Sequence, residues 1–297
     1  MNLPDEAPRP VDLGKLEKLY QIWILDRLEG AKLDVSQAIA DYRFNDAALR
    51  VYKFLWNEFC DWFLELAKQD LASEDAETRN TAQYVLWVAM KEILLLLYPI
   101  TPFATAEIWS YLPGISQSDI ALEKFPPYRP ECVRSEETAK MDFVMRSIVA
   151  VRTIKAELGV NPAQKVDLIL VPADDAQARL LQITESHIKS LARVSSLTID
   201  PRAAIPKASA AQVVDGCQII VPLAGLVNIE SEIARLDKEL AKLEKDLVEA
   251  NKKLHNESFV SRAPAEVVER EKEKYLRLLD SRDKLSARRA IFAMAEE

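Results

Sequence analysis

The sequence predicts a mainly α protein: an antiparallel helical bundle, a small α+β connector and a C-terminal antiparallel coiled-coil hairpin. Three observations carry this. Apolar residues recur at helical spacing through the first half of the chain, short β-branched runs replace them after Pro162, and a leucine heptad opens at Ile229. The scarcity of glycine, six residues in 297, argues against a loop-rich or all-β fold, and the length suffices for more than one core.

Residues 1–12 are polar and proline-bearing, expected to be a disordered lead-in or the edge left where a larger protein is divided. From Leu13 to Ala40 the apolar positions Leu16, Leu19, Ile22, Trp23, Leu25, Leu28, Leu33, Val35 and Ile39 predict one long helix, weakened by about 1 kcal/mol at Gly30. Asn45 is expected to cap a second helix, about Asp46 to Gln69, by accepting an otherwise unpaired backbone N–H. A third runs from about Asp75 to Tyr98 and stops at Pro99, whose ring clashes with the preceding turn. Thr101-Pro102 reads as N-cap and first position of a short helix carrying Trp109, and Ile115 to Pro130 as a connecting loop. A helix over about Glu136 to Leu158 closes at Gly159, which suits a left-handed C-terminal cap. Together these make a helical domain over 13–162.

In the connector, 163–226, Lys165 to Val171 reads as a strand and Ala173 to Ala192 as a helix. Val194 to Ile199, Cys217 to Val221 and, more weakly, Ala210 to Val214 add strands, with Asp215-Gly216 a two-residue hairpin turn. The arm, 227–297, opens with Ile229, Ile233, Leu236, Leu240, Leu243, Leu247, Ala250 and Leu254 in alternating steps of four and three. After a break at Asn256, Ser258 and Pro264, a second stripe runs through Val268, Tyr275, Leu278, Leu285 and Phe292. Two such stripes bury each other most economically in an antiparallel hairpin.

Several function classes are disfavoured. Cys60, Cys132 and Cys217 are scattered and odd in number, suggesting neither a disulfide framework nor a zinc site, and fit a reducing cytoplasm. The run Ile93 to Ile100 is too short to span a bilayer, and the N-terminus is no signal peptide. No Gly-rich phosphate loop, GxSxG turn or metalloprotease motif occurs, and His187 and His255 lack ligand spacing. The net charge of −8 argues against strong non-specific nucleic-acid binding by this chain alone.

The most informative stretch is Asp41-Tyr42-Arg43-Phe44-Asn45-Asp46-Ala47-Ala48 with the helix from Phe54 to Lys68, where two tryptophans interleave with Asn57, Glu58 and Asp61. At helical spacing Leu55, Phe59, Trp62, Phe63 and Leu66 face the bundle, while Asn57, Asp61, Glu65 and Lys68 lie on another stripe. Asn and Asp side chains on such a stripe suit the exposed edges of unstacked bases, with aromatic rings for stacking; an ordinary core and surface is the competing account. Arg43 and Arg50 are the nearest cations for phosphates, or else surface ion pairs. Arg152 and Lys155, near the end of the last bundle helix, suit phosphates and equally the negative end of that helix. Lys252, Lys253 and Arg262 mark the tip of the hairpin.

This stretch resembles the anticodon-binding domain of the valyl-tRNA synthetase family. Val151-Arg152-Thr153-Ile154-Lys155-Ala156-Glu157-Leu158-Gly159-Val160-Asn161-Pro162 looks like that family's last bundle helix and its exit. Phe259 to Val268, with Arg262, Ala263 and Pro264 at its centre, looks like the turn of its C-terminal coiled coil. The resemblance covers the chain from about Leu16 to the end, and the Cys60-Asp61-Trp62 stretch and terminal coiled coil favour valine over the isoleucine and leucine enzymes. The family's HIGH-like and KMSKS-like signatures are absent, so the resemblance implies the tRNA-recognition portion without the catalytic domains.

It further implies tRNA for valine as partner, through Arg43, Arg50, Asn57, Asp61, Trp62 and Lys68 on the anticodon side, Arg152 and Lys155 at the bundle exit, and Lys252, Lys253 and Arg262 on an arm that reaches the tRNA elbow. A two-helix arm of this size extends roughly 40 Å. No cofactor or metal is expected in this chain; ATP and Mg, with aminoacylation and editing, belong to the parent enzyme's catalytic domains. A cytoplasmic monomer without membrane contact is expected. Two other readings stay open: a free-standing or trans-acting tRNA-binding protein, and a structural coiled-coil interaction protein.

Overall fold

The computed structural model describes residues 6–115, 118–223, 226, 229–256 and 264–296. Two compact units divide the chain, Met1–Met145 and Arg146–Glu297.

The first unit is helical. Its first long helix, α1 (Leu19–Ala40), follows a separate 3₁₀ turn, Leu13–Lys15, capped by the Asp12 side chain. The expected single helix from Leu13 is therefore broken. Leu16 is extended and buried, and its carbonyl accepts from Arg134 (2.6 Å) in place of a helical N–H. The next helix begins at Phe44, so Asn45 is not its cap. The chain leaves α1 through Tyr42 in the left-handed region (φ 60°), and Arg43 occupies the cap position, its side chain making no bond to the backbone N–H groups of the helix start.

From there α2 (Phe44–Lys53) runs into a π-helical segment, Phe54–Phe63, and on into α3 (Leu64–Leu71). Bonding from i to i+5 widens the turn, so residues five and four apart come into line. Phe54, Phe59 and Phe63 are all buried, and the Phe59 and Phe63 rings lie 5.5 Å apart. An α-helical register would have turned Phe54 away from the other two, which lie four residues apart.

Helix α4 (Ala76–Leu97) is capped by Asp75, whose carboxylate accepts from Thr78 N–H (2.8 Å). Helix α5 (Pro102–Trp109) starts with proline in its first turn, as expected, though Thr101 makes no side-chain cap. Helix α6 (Ser135–Glu157) ends at Gly159 in the left-handed region (φ 63°).

Inside this unit lies a charge cluster that hydrophobic patterning did not announce. Lys32 and Glu29 of α1 are buried with Glu92 of α4, beside the half-buried side chain of Arg129. The Lys32 ammonium lies 2.5 Å from Glu29 and 3.0 Å from Glu92, and also donates to the Pro127 carbonyl (2.7 Å). Arg129 reaches Glu29 at 3.2 Å and Glu92 at 2.8 Å. The two cations face two carboxylates, and the 127–129 stretch is fastened to the helices through them.

The second unit holds a four-stranded sheet in the order β2-β1-β4-β3. Strand β1 (Val166–Val171) pairs parallel to β2 (Val194–Ile199) and antiparallel to β4 (Cys217–Pro222), which pairs antiparallel to β3 (Ser209–Val214). The parallel β1–β2 pair requires a crossover, and two helices supply it: α7 (Asp175–Ile183) and α8 (Glu185–Ala192). They replace the single helix expected over Ala173 to Ala192. The break falls at Thr184, whose hydroxyl donates back to the Leu180 carbonyl (2.8 Å). Asp215 (φ 48°) and Gly216 (φ 80°) make the expected hairpin turn, both left-handed. Arg146 grips Asp215 through both carboxylate oxygens, at 2.7 and 2.6 Å.

Helices α9 (Ile229–Leu254) and α10 (Ala265–Glu296) pack side by side. Leu236, Leu247 and Ala250 of α9 and Val268 and Phe292 of α10 are buried. Ion pairs joining Arg288 to Glu232 and Asp237 to Arg289, with Lys253 lying 3.8 Å from Glu271, require antiparallel helices. At the arm's base Arg288 also donates to the Leu158 carbonyl (2.6 Å) at the exit of α6. A Cβ on Gly159 would lie 2.2 Å from that guanidinium. Gly159→Ala is thus expected to destabilise the second unit by about 1–3 kcal/mol, from backbone strain and displacement of Arg288. Urea unfolding checks this; an unchanged midpoint would show that the contact is dispensable.

Candidate nucleic-acid interface

The turn between α1 and α2 presents its aromatic side chains outward. Tyr42 is 82% exposed and Phe44 61%, their rings edge to face with centroids 6.3 Å apart. Between them Arg43 bonds Asp41 (3.0 Å) and Asp46 (2.8 Å), lining with its neighbours a shallow hollow of about 300 Å³. Gln37 and Arg43 hold the Asp41 carboxyl below its ordinary range. These bonds fix the turn in a left-handed conformation that a bulky residue such as Tyr42 rarely adopts. Local strain that presents rings to solvent is more characteristic of a binding surface than of a simple connection.

Continuing along the same helix, Leu49, Tyr52 and Trp56 form a second exposed apolar stripe, with Tyr52 and Trp56 rings 6.3 Å apart. Asn57, Asp61 and Lys68 are exposed, as their stripe predicts, and Lys68 pairs with Glu65 (2.5 Å). Trp62 is half-buried; Trp56 is the more exposed of the two tryptophans. Arg50 points back toward α1, bonding Asp34 (2.9 Å) and lying 3.5 Å from Glu58. Burial raises the Glu58 carboxyl above its ordinary value, against the pull of Arg50 and Arg27.

The candidates named from the sequence on this turn and helix leave out four rings that the structure exposes: Tyr42, Phe44, Tyr52 and Trp56. The available signal was the polar company Phe44 keeps, between Arg43 and Asn45.

Of the remaining candidates, Arg152 donates twice to the Leu191 carbonyl (3.1 and 2.9 Å). Lys155 is buried, its ammonium donating to the carbonyls of Pro162 (3.0 Å) and Gln164 (2.6 Å). Lys252 and Lys253 are exposed at the end of α9, and Arg262 lies outside the described residues. Among the described residues no group of His, Cys, Asp and Glu is placed to hold a metal ion, and no helix is long and apolar enough to cross a membrane.

Residues 21–170 match the model of the anticodon-binding domain of tRNA ligases, and residues 228–292 that of the valyl tRNA synthetase tRNA-binding arm. Among curated proteins, the chain is 47% identical to a valine–tRNA ligase of Nitratidesulfovibrio vulgaris over 97% of its own length and 32% of the relative's. It is 42% identical to that of Geobacter sulfurreducens, over 97% of this chain and 33% of the relative, and 35% identical to that of Bacillus subtilis, over 98% and 33%. The chain thus spans about a third of the length of the curated relatives it matches.

Proposed function

This chain belongs to the valyl-tRNA synthetase family, matching its anticodon-binding domain and tRNA-binding arm, and from that premise we propose that it recognises tRNA for valine and presents it to the catalytic domains of the same enzyme. The observation that carries the reading is the exposed Tyr42-Arg43-Phe44 turn with the Tyr52, Trp56, Asn57 and Asp61 surface beside it. Unstacked anticodon bases are held by stacking on aromatic faces and read through hydrogen bonds to their edges. Arg43 stands where a neighbouring phosphate or base edge would compete with Asp41 and Asp46 for its guanidinium.

The arm supplies reach. Lys252 and Lys253 at the far end of α9 suit phosphates of the tRNA elbow, a contact that reads shape through the backbone. Aminoacylation with ATP and Mg, and editing, fall to the catalytic domains of the parent enzyme in the cytoplasm. By itself the chain acts as a monomeric binding module.

The experiment is binding of this chain to tRNA for valine, and to the same RNA with an altered anticodon, across a salt series. Anticodon-dependent affinity is expected; equal affinity for both RNAs would refute anticodon reading. Replacing Lys252 and Lys253 together by Gln is expected to weaken binding and flatten the dependence of log K on log salt by about two phosphate contacts' worth. An unchanged slope would remove the arm's tip from the interface.

A further inference from the structure

Within the second unit, where α6 ends beside the C-terminus of α8, a cavity of about 420 Å³ is lined by Arg152, Lys155, Val160, Pro162, Leu191 and Arg193, among others. Helix C-termini attract cations, and that accounts for part of the arrangement. Arg152 caps the Leu191 carbonyl of α8, and Lys155 takes the Pro162 and Gln164 carbonyls beyond α6.

Arg193 is surplus to that need. Its guanidinium makes no hydrogen bond or ion pair among the described residues, yet its backbone is pinned at both ends. The N–H caps α8 on the Lys189 carbonyl, and the carbonyl accepts from Val166 of β1 (3.1 Å). The residue is held in the left-handed region (φ 55°), a conformation that glycine or asparagine would adopt more cheaply.

Beside the buried Lys155 the cavity is lined by two further cationic side chains, Arg152 and Arg193. Burial lowers the pKa of the Lys155 ammonium, and Arg193 and Arg152 lower it further. The chain as a whole is acidic, so this concentration of cations lining one cavity is not a sample of its average surface. Two of the ammonium's three donors go to carbonyls, leaving one for a ligand.

We propose that this cavity is a phosphate site, in which Arg193 and Lys155, with Arg152 beside them, hold one phosphate group supplied by an RNA backbone or free in solution. The RNA source rests on the tRNA-binding reading above; the free source does not. A phosphate relieves the repulsion among the cations and accepts several charge-assisted hydrogen bonds at once, which a chloride ion does less well.

The test titrates inorganic phosphate into the full chain by calorimetry at ionic strength held constant with chloride, and in parallel measures tRNA affinity against salt. Arg193→Gln is the main variant, because its exposed side chain makes a folding defect improbable, and Lys207→Gln outside the cavity is the control. Saturable phosphate binding is expected, weakened roughly five- to tenfold by Arg193→Gln and unaffected by Lys207→Gln. If the same variant also flattens the tRNA salt dependence by about one phosphate, the backbone is the source. Phosphate binding with unchanged tRNA behaviour assigns the site to a free anion. A flattened tRNA slope without free-phosphate binding assigns it to RNA alone. No phosphate heat together with unaltered tRNA binding overturns the proposal, whether or not the chain binds tRNA elsewhere.

Discussion

Replacing Lys32 with Met is expected to cost the first unit about 3–5 kcal/mol, the usual result of removing one partner from a buried ion network. The methionine keeps the volume and the apolar stem, so the loss isolates the charge. Glu29 and Glu92 would then share Arg129 alone, and the Pro127 carbonyl would lose its donor. Burial already holds the Glu92 carboxyl above the ordinary glutamate value, against the pull of Lys32 and Arg129. A carboxyl raised in this way favours folding while it is protonated and ceases to do so as pH rises through its folded value. Loss of Lys32 pushes it further in the same direction, so the variant's deficit should shrink as pH is lowered from 7 toward about 5. Urea midpoints across that range decide the matter. A midpoint unchanged at neutral pH would mean that water, not Lys32, neutralises the pair. The double change Lys32→Met with Glu92→Gln should recover part of the loss.

The second large effect concerns binding rather than stability. Phe44→Ala is expected to weaken tRNA binding by about 1–3 kcal/mol, roughly five- to 150-fold, if its ring carries an anticodon base. Stability should stay within about 0.5 kcal/mol of the parent, since the ring is already in solvent. Phe103, 91% exposed on α5, is the control: its alanine variant loses as much exposed ring and should bind tRNA normally. Equal losses from both variants would point to general surface stickiness, and no loss from Phe44→Ala would remove stacking at this turn from the account.

The elements legible in the sequence are those whose signal is periodic or local. The heptad from Ile229 gives α9, and Asp215-Gly216 gives the β3–β4 turn, because left-handed backbone at both positions favours those residue types. What escaped has no such signature. A π-helical register between Phe54 and Phe63 changes the hydrogen-bond partner without changing composition, so nothing local tells Trp56 from Trp62 as the exposed ring. The division of α7 from α8 at Thr184 involves neither glycine nor proline. Lys32, Glu29 and Glu92 read as solvated charges until partners distant in sequence are brought to them, and Asn45 looks like a cap until Tyr42 takes the turn. For the proposed interface, family resemblance pointed to this helix, whereas which rings face outward depends on tertiary burial that one sequence does not reveal.

The bond from Arg288 to the Leu158 carbonyl sits at the fulcrum of a lever. Helix α9 is 26 residues long, so its far end stands roughly 39 Å from that point, and five degrees of play at the base sweeps the far end through about 3 Å. That sweep is as long as a hydrogen bond. The position of Lys252 and Lys253 is thus decided by how stiffly the opposite end is clamped, and a change at Gly159 is expected to loosen where the other end of the arm stands.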